Sequence, residues 1–337
     1  MRLTLPFLFS PLLLLGCSLD DLPELVIPVN VDYDQEMREL VENISSYTKG
    51  INRDFIVVPQ NGIELVTTTT TITGSVDEGY LNAIDGIAQE AVFFEFSRVG
   101  VDQPTRTSES RRLQTYLDLA KDNNNVILVT DFAQIEKNIE DSYDANQDAD
   151  YISFAADQVT LNNIPPYPLD PFNVNSREID RLDAARNFLS LTNTSLYSTP
   201  QEFVDALSET DFDLLIIDFF FNGEPYTEEQ IDQLKVKRNG NRRLLMAYIN
   251  IGEAQDNRYY WQPSWPTNPP SWLLEAVPGE PDNYYVEYWK EGWQDIIYGT
   301  NDSYIYRIVN AGFDGAYMDS IDVFEYFDSL STVEEGR

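Results

Sequence analysis

The 337-residue sequence contains no histidine and only one cysteine, Cys17. Without histidine there is no Ser-His-Asp relay and no His-ligated metal site. A lone cysteine excludes a disulfide framework, a cysteine zinc cluster and CxxC redox chemistry. Positive charge is scarce too: 22 Lys and Arg stand against 57 Asp and Glu, a formal charge of −35. Such a chain repels nucleic-acid phosphates and anionic lipid heads, so no nucleic-acid partner is expected. What remains is ample for a core, since 42% of residues are hydrophobic and 13% aromatic. Length alone suggests about two domains, but α/β barrels of this size are commonly one.

The cysteine has a local explanation. Arg2 precedes an apolar run over residues 3–15, broken by Pro6 and Pro11, and then Gly16-Cys17. That run is shorter than the about 20 residues a bilayer span needs. A positive start, a short apolar stretch and a small residue describe a secretory signal. Leu14-Leu15-Gly16-Cys17 resembles a bacterial lipoprotein box, in which the cysteine is lipidated; an ordinary cleaved signal with a chance cysteine is the alternative. The expectation is a signal over 1–16, lipid on Cys17, and an acidic tether over 17–34. The mature domain would then sit at the bacterial cell envelope, touching the membrane only through its lipid anchor.

Short apolar or β-branched runs recur at 55–59 (FIVVP), 81–85 (LNAID), 126–131 (VILVTD), 151–155 (YISFA), 187–191 (NFLSL), 212–218 (FDLLIID), 244–251 (LLMAYINI) and 314–319 (DGAYMD). Amphipathic stretches at 35–47, 110–121, 200–207, 228–236 and 294–310 lie between most of them. Runs such as LLIID do not alternate polar with apolar, which is the pattern of parallel strands buried on both faces. Eight such strands with interleaved helices predict an α/β fold, a (β/α)₈ barrel. A doubly wound open sheet is the rival, weakened by the lack of a glycine-rich phosphate loop after any strand.

Barrel active sites form at the C-terminal ends of the strands. Gln60 and Asn61 follow FIVVP, Asp131 and Asp218 end their strands, Glu253 follows INIG, Asp319 ends GAYM, and Asp85 with Glu90 follows LNAI. Singly, each is also a good turn or helix cap. Together they form a carboxylate rim without histidine or cysteine, the requirement of glycoside hydrolysis: one acid for the leaving oxygen, one carboxylate as nucleophile or base. Calcium or magnesium would also accept such a rim, but no loop of EF-hand spacing is present. No metal and no cofactor is expected. All five tryptophans, Trp261, Trp265, Trp272, Trp289 and Trp293, share residues 261–293 with Tyr259, Tyr260, Tyr284, Tyr285 and Tyr288. They suit either a stacking platform for sugar rings or packing between barrel and loops.

Ala247-Tyr248-Ile249-Asn250-Ile251-Gly252-Glu253-Ala254, then Arg258-Tyr259-Tyr260-Trp261, resembles a signature of the glycoside hydrolase family 114 superfamily. So do Tyr285-Val286-Glu287-Tyr288-Trp289 and the run from Gly312 through Asp319 to Asp322. The resemblance implies a (β/α)₈ barrel and, from the characterised activity, endo-hydrolysis of α-1,4-linked galactosamine polymers. Val58-Pro59-Gln60-Asn61-Gly62-Ile63-Glu64-Leu65 and residues 81–90 resemble segments that follow the GFDG strand in that family, yet here they precede it. The chain therefore resembles a circularly permuted member, with exchanged halves 35–161 and 185–327, a proline-rich joint at 162–184 and a frayed tail at 328–337. The resemblance implies Asp319 as nucleophile or charge stabiliser and Glu90 as general acid/base. Glu253, Asp218, Tyr248, Asn61, Asp322, Arg258 and Trp289 are implied as substrate contacts. Polymer-cleaving members carry a Glu-Pro-Asp-like run where this chain has Tyr317-Met318-Asp319, so their substrate does not transfer directly. A monomer acting on a polysaccharide or oligosaccharide is expected, with a non-catalytic surface glycan-binding lipoprotein as the alternative.

Overall fold

The computed structural model describes residues 31–97 and 100–335. The expected signal, Cys17 and most of the tether lie outside the described residues. Eight parallel strands form the centre: β1 (Ile56–Pro59), β2 (Gly86–Glu90), β3 (Val126–Phe132), β4 (Ile152–Ala156), β5 (Phe188–Leu191), β6 (Leu214–Asp218), β7 (Leu244–Asn250) and β8 (Gly315–Asp319). They pair in the order β1-β8-β7-β6-β5 in one sheet and β2-β3-β4 in a second. A parallel bridge from Gln60 to Ala88 and the hydrogen bond from Asn61 N to Ala88 O at 2.8 Å join β1 to β2. At the other gap, the rings of Phe154 on β4 and Phe188 on β5 lie 5.8 Å apart. This order is compatible with a (β/α)₈ barrel. The strands are buried as the unalternating runs require; Leu214, Leu215, Ile216 and Ile217 are all inaccessible.

The helices α1 (Tyr33–Ile51), α2 (Glu78–Ala83), α3 (Thr107–Asp122), α4 (Glu136–Asp148), α5 (Pro200–Ser208), α6 (Glu228–Leu234), α7 (Glu291–Ile297), α8 (Tyr304–Asn310) and α9 (Val323–Glu335) follow from local chemistry. Asp32 caps α1 by accepting from Gln35 N, and Met37, Leu40, Val41 and Ile44 give it one apolar face. Thr227 and Gln230 form a reciprocal capping box on α6. No helix among the described residues is long and apolar enough to cross a membrane.

Four expectations change. The run at 81–85 is not a strand: Asp77 caps α2 by accepting from Tyr80 N, and the strand is the next segment, β2. Asp85 therefore lies at the opposite end from the rim, where it accepts from Val57 N and pairs with Lys49. The stretch 294–310 is two helices, parted near Gly299, whose φ of 93° suits only glycine without strain. The tail does not begin at 328, because α9 continues to Glu335. Helix α4 has no counterpart in the pattern, because Ser142 and Asn146 occupy its inward face and bond to Asp131.

Among the described residues, the short strands lie at one end. Phe94–Phe96 pairs with Asp102–Pro104 after β2, and Phe220–Phe221 with Glu224–Pro225 after β6. After β7, strands Glu253–Gln255, Leu273–Val277 and Glu280–Val286 make an antiparallel sheet. At the other end, the irregular segment before β5 is firmly tied. Lys237 and Asp213 form a fully buried ion pair at 3.0 Å. Asp213 also accepts from Asn175 Nδ2 and Arg186 N, and Lys237 donates to Arg177 O. Removing one partner of such a pair strands a buried charge. Lys237→Ala should therefore cost about 3–5 kcal/mol in denaturant unfolding.

Candidate active site

The decorated end gathers the predicted site residues. Glu90 and Asp319 are the last residues of β2 and β8, Asp218 is the last of β6, and Tyr248 lies within β7. Backbone geometry there is unusual: Asn61 just past β1, Ala91 after Glu90 and Ser320 after Asp319 all have positive φ, at 61°, 54° and 58°. Non-glycine residues in this region are strained, and such strain concentrates where a structure must aim a group.

Asp319 shows what the strain achieves. Ser320 N donates to Asp319 Oδ1 at 2.8 Å, and the Tyr248 hydroxyl donates to Oδ2 at 2.6 Å. The turn after Asp319 is seated between two glycines. A methyl on Gly252 would lie 2.1 Å from Ser320 O, and one on Gly62 would lie 2.6 Å from Ile321 Cγ2. The Pro59-Gln60-Asn61-Gly62 and Ile251-Gly252-Glu253 segments thus meet on the turn that carries the aspartate.

Glu90 is held differently. Its backbone N and the Gln89 side chain donate to Asn61 Oδ1 at 3.4 and 3.1 Å, so Asn61 anchors the end of β2. Burial pushes the Glu90 carboxyl up to about 7, with the charges of Asp319 and Asp322 adding to the rise and the Asn61 and Gln60 amides opposing it. Asp319 is also raised by burial, but its donors Tyr248 and Ser320 N pull the other way. Glu253 reaches about 7, through burial first and then the charges of Glu280 and Asp319; Asn250 and Asn283 donate to its Oε2.

Two cavities at this end are lined by expected site residues. One of about 790 Å³ is lined by Asp218, Tyr248, Arg258, Asn193, Asn257 and Asn283, among others. The other, about 350 Å³, holds Glu90, Asn61 and Asp322. Asp218 is not a free carboxylate. Arg258 grips it through both guanidinium nitrogens at 2.9 and 2.8 Å, and Phe220 N donates to it as well. Asp131 is structural too: Phe93 N, Phe94 N, Ser142 and Asn146 all donate to it, which pins the loop after β2.

The tryptophans pack rather than line these cavities. Trp293 is inaccessible and donates to Ile251 O at 2.8 Å, bracing the loop after β7. Trp272 packs on Trp293 and Trp265, and Trp261 packs on Trp265 and Tyr284. Trp289, expected at the substrate, instead joins Tyr33, Tyr288 and Phe327. Ser320, Gly252 and Asn283 had not been anticipated. For Asn283 a signal was present: Pro278-Gly279 between two β-rich runs marks the hairpin that carries it.

Parallel strands thus bring two half-buried carboxyls of unlike environment, Glu90 and Asp319, to the decorated end, an arrangement of the kind glycosidic hydrolysis uses. Residues 195–335, less than half of the chain, match the model of glycoside-hydrolase family GH114. The motifs around Tyr248 and Asp319 fall inside that span, and those around Asn61 and Glu90 outside it. Uncharacterized proteins of Thermotoga maritima, Methanocaldococcus jannaschii and Deinococcus radiodurans are 39%, 37% and 35% identical over 121, 155 and 127 residues. These matches cover 36%, 42% and 37% of this chain and only 36%, 42% and 38% of those relatives. A solved hyperthermophilic endo-beta-1,4-glucanase in complex with substrate aligns over 82% of this chain and 91% of its own, at 11% identity and a TM-score of 0.30, too low to carry an argument.

Two outcomes follow. Gly252→Ala should push Ser320 from its left-handed conformation, destabilising the fold by about 1–3 kcal/mol in denaturant unfolding. For pH, Glu90 and Glu253 bind their protons more tightly folded than unfolded. Their stabilisation is complete below the ordinary carboxylate range and is lost as pH rises through about 7. The melting temperature should fall from about pH 5 to pH 8, and Glu90→Gln with Glu253→Gln should flatten that fall.

Proposed function

We propose that the protein hydrolyses glycosidic bonds in a polysaccharide, with Glu90 as general acid/base and Asp319 as nucleophile or charge stabiliser. The asymmetry of the two carboxyls carries this reading. Glu90, pushed up to about 7, keeps its proton at near-neutral pH, whereas Asp319 accepts two hydrogen bonds that favour its charged form. Glu90 protonates the departing glycosidic oxygen while Asp319 meets the positive charge growing on the sugar; Glu90 then takes a proton from the incoming water. Carboxyl groups suffice for this chemistry.

The substrate reading rests on charge. Beside Glu90 and Asp322, the smaller cavity is lined by Glu64, Glu95, Glu109 and Glu325, and its one cation among the described residues, Arg112, is bonded to Glu64 and Glu109. Such a lining attracts a cationic polymer and supports the α-1,4-linked galactosamine-type substrate that the family resemblance implies. The two sheets are proposed to close into one permuted (β/α)₈ barrel. The Gln60–Ala88 bridge favours closure, and the neighbouring Tyr33 and Phe327 rings at the two ends of the domain favour permutation. Cys17 is proposed as the lipid attachment point at the bacterial envelope.

Purified protein should release reducing ends from a panel that includes α-1,4-linked galactosamine polymers. Glu90→Gln and Asp319→Asn should each lower turnover at least about 100-fold while leaving the melting temperature nearly unchanged at pH 5. Wild-type turnover by both variants would sink the assignment. Binding without cleavage by the wild type, for every glycan bound, would leave a glycan-binding lipoprotein.

A further inference from the structure

We infer that Tyr248 is a positioning residue for Asp319: its hydroxyl and the Ser320 amide together fix the direction of the carboxylate and favour its charged form. This rests on the glycosidase reading for its catalytic consequence, although the contact itself does not.

A phenol has one proton to give, and Tyr248 gives it to Asp319 Oδ2 at 2.6 Å, a short charge-assisted contact. The second oxygen, Oδ1, takes Ser320 N at 2.8 Å. Each carboxylate oxygen therefore has its own donor, from two different strand ends. The sheet register explains why Tyr248 serves this oxygen. Across β7 and β8, Tyr248 pairs with Tyr317 and Asn250 with Asp319, so Tyr248 lies on the same face as the residue opposite Asp319. Its neighbour on the other side, Asp218, sits level with it but is occupied by Arg258 and Phe220 N. Asp218 thus does not compete for the phenol proton.

The surroundings make the donor necessary. Glu90 on β2, Glu253 past β7 and Asp322 past β8 all interact electrostatically with Asp319, and each negative charge disfavours another. Tyr317 on β8 is raised well above its ordinary value by burial and by the charges of Glu90 and Asp319, as Tyr248 is by burial and by Asp319 and Asp218. Arg258, the nearby cation, is committed to Asp218. Tyr248 consequently remains protonated, and remains a donor, across any working pH.

The test is a titration of the protein's aspartate carboxyls by ¹³C NMR, with Asp319 assigned from its absence in Asp319→Asn. In Tyr248→Phe the Asp319 pKa should rise by about one unit or more, roughly the tenfold that a hydrogen bond to a charged group contributes. The acidic limb of kcat/KM should move up with it, and KM should change little. If Tyr248→Phe does not fold, trifluorotyrosine at 248 keeps the ring and strengthens the donor; the Asp319 pKa should then fall. An unshifted Asp319 titration, or a rise in KM with an unmoved acidic limb, overturns the inference. The titration needs no substrate, so it is readable even if no glycan is cleaved. Inactive Glu90→Gln and Asp319→Asn variants with an unshifted titration would leave the glycosidase reading standing and remove only this one.

Discussion

The left-handed turn at Ser320 is the constraint on which the site depends. A serine held at a φ of 58° is stable only if its surroundings over-determine it. Here they do, because Gly252 lies under the Ser320 carbonyl and Gly62 under Ile321, where no side chain fits. The glycines come from loops after β7 and β1, the two strands that flank β8 in the sheet. Local strain at one residue is therefore balanced by long-range packing, and the reward is a backbone N–H aimed at a carboxylate oxygen. Aspartate direction, loop positions and strand order form one problem with one solution.

Electrostatics adds a second layer. In a chain of net charge −35, neighbouring carboxyls are common, and water screens those at the surface from one another. Burial changes that. Glu90, Asp319 and Glu253 share a poorly hydrated region in which each charge raises the cost of the next. The protein resolves the conflict with unequal hydrogen bonding. Asp319 receives a phenol and an amide, whereas Glu90 receives weaker amide help and faces more negative charge. The site thus sets two carboxyls apart by placement of donors rather than by residue type alone.

The sequence made the strand core legible because seven of the expected runs coincide with strands, each apolar on both faces. It misplaced β2 because Gly86-Ile87-Ala88-Gln89-Glu90 is short and weakly apolar, whereas Leu81-Asn82-Ala83-Ile84 looks richer although Asp77 caps it into a helix. Helix α4 was invisible because its inward face is polar by design of the Asp131 network, which no hydrophobic period can reveal. At the site, Glu90 and Asp319 were legible as carboxyls near strand ends. Their support was not. Gly252 and Gly62 matter through contacts with Ser320 and Ile321, and those distances are set by tertiary packing. The aromatic cluster misled for the opposite reason: composition marks tryptophans as important without saying whether they face a ligand or one another.

The proposed permutation is physically cheap in this architecture. Chain connection matters little to a parallel sheet once neighbouring strands are paired, and β1 pairs with β8 although they are distant in sequence. Near the domain's two ends, the Tyr33 ring lies 5.4 Å from Phe327 and its carbonyl accepts from Tyr288 Oη at 2.7 Å, so α1 and α9 cover one surface. What such a rearrangement needs is a stable crossing where old ends would be joined. Residues 175–186 meet that need through the buried Lys237–Asp213 pair, which fastens an otherwise irregular segment beneath the sheet. An unpaired charge there would be costly, and a satisfied one gives the joint a single seat. The matched segment, 195–335, holds β8 and its aspartate, while the glutamate on β2 lies outside it. The two carboxylates are brought to one end across β1, which lies between β8 and β2, and not by sequence proximity.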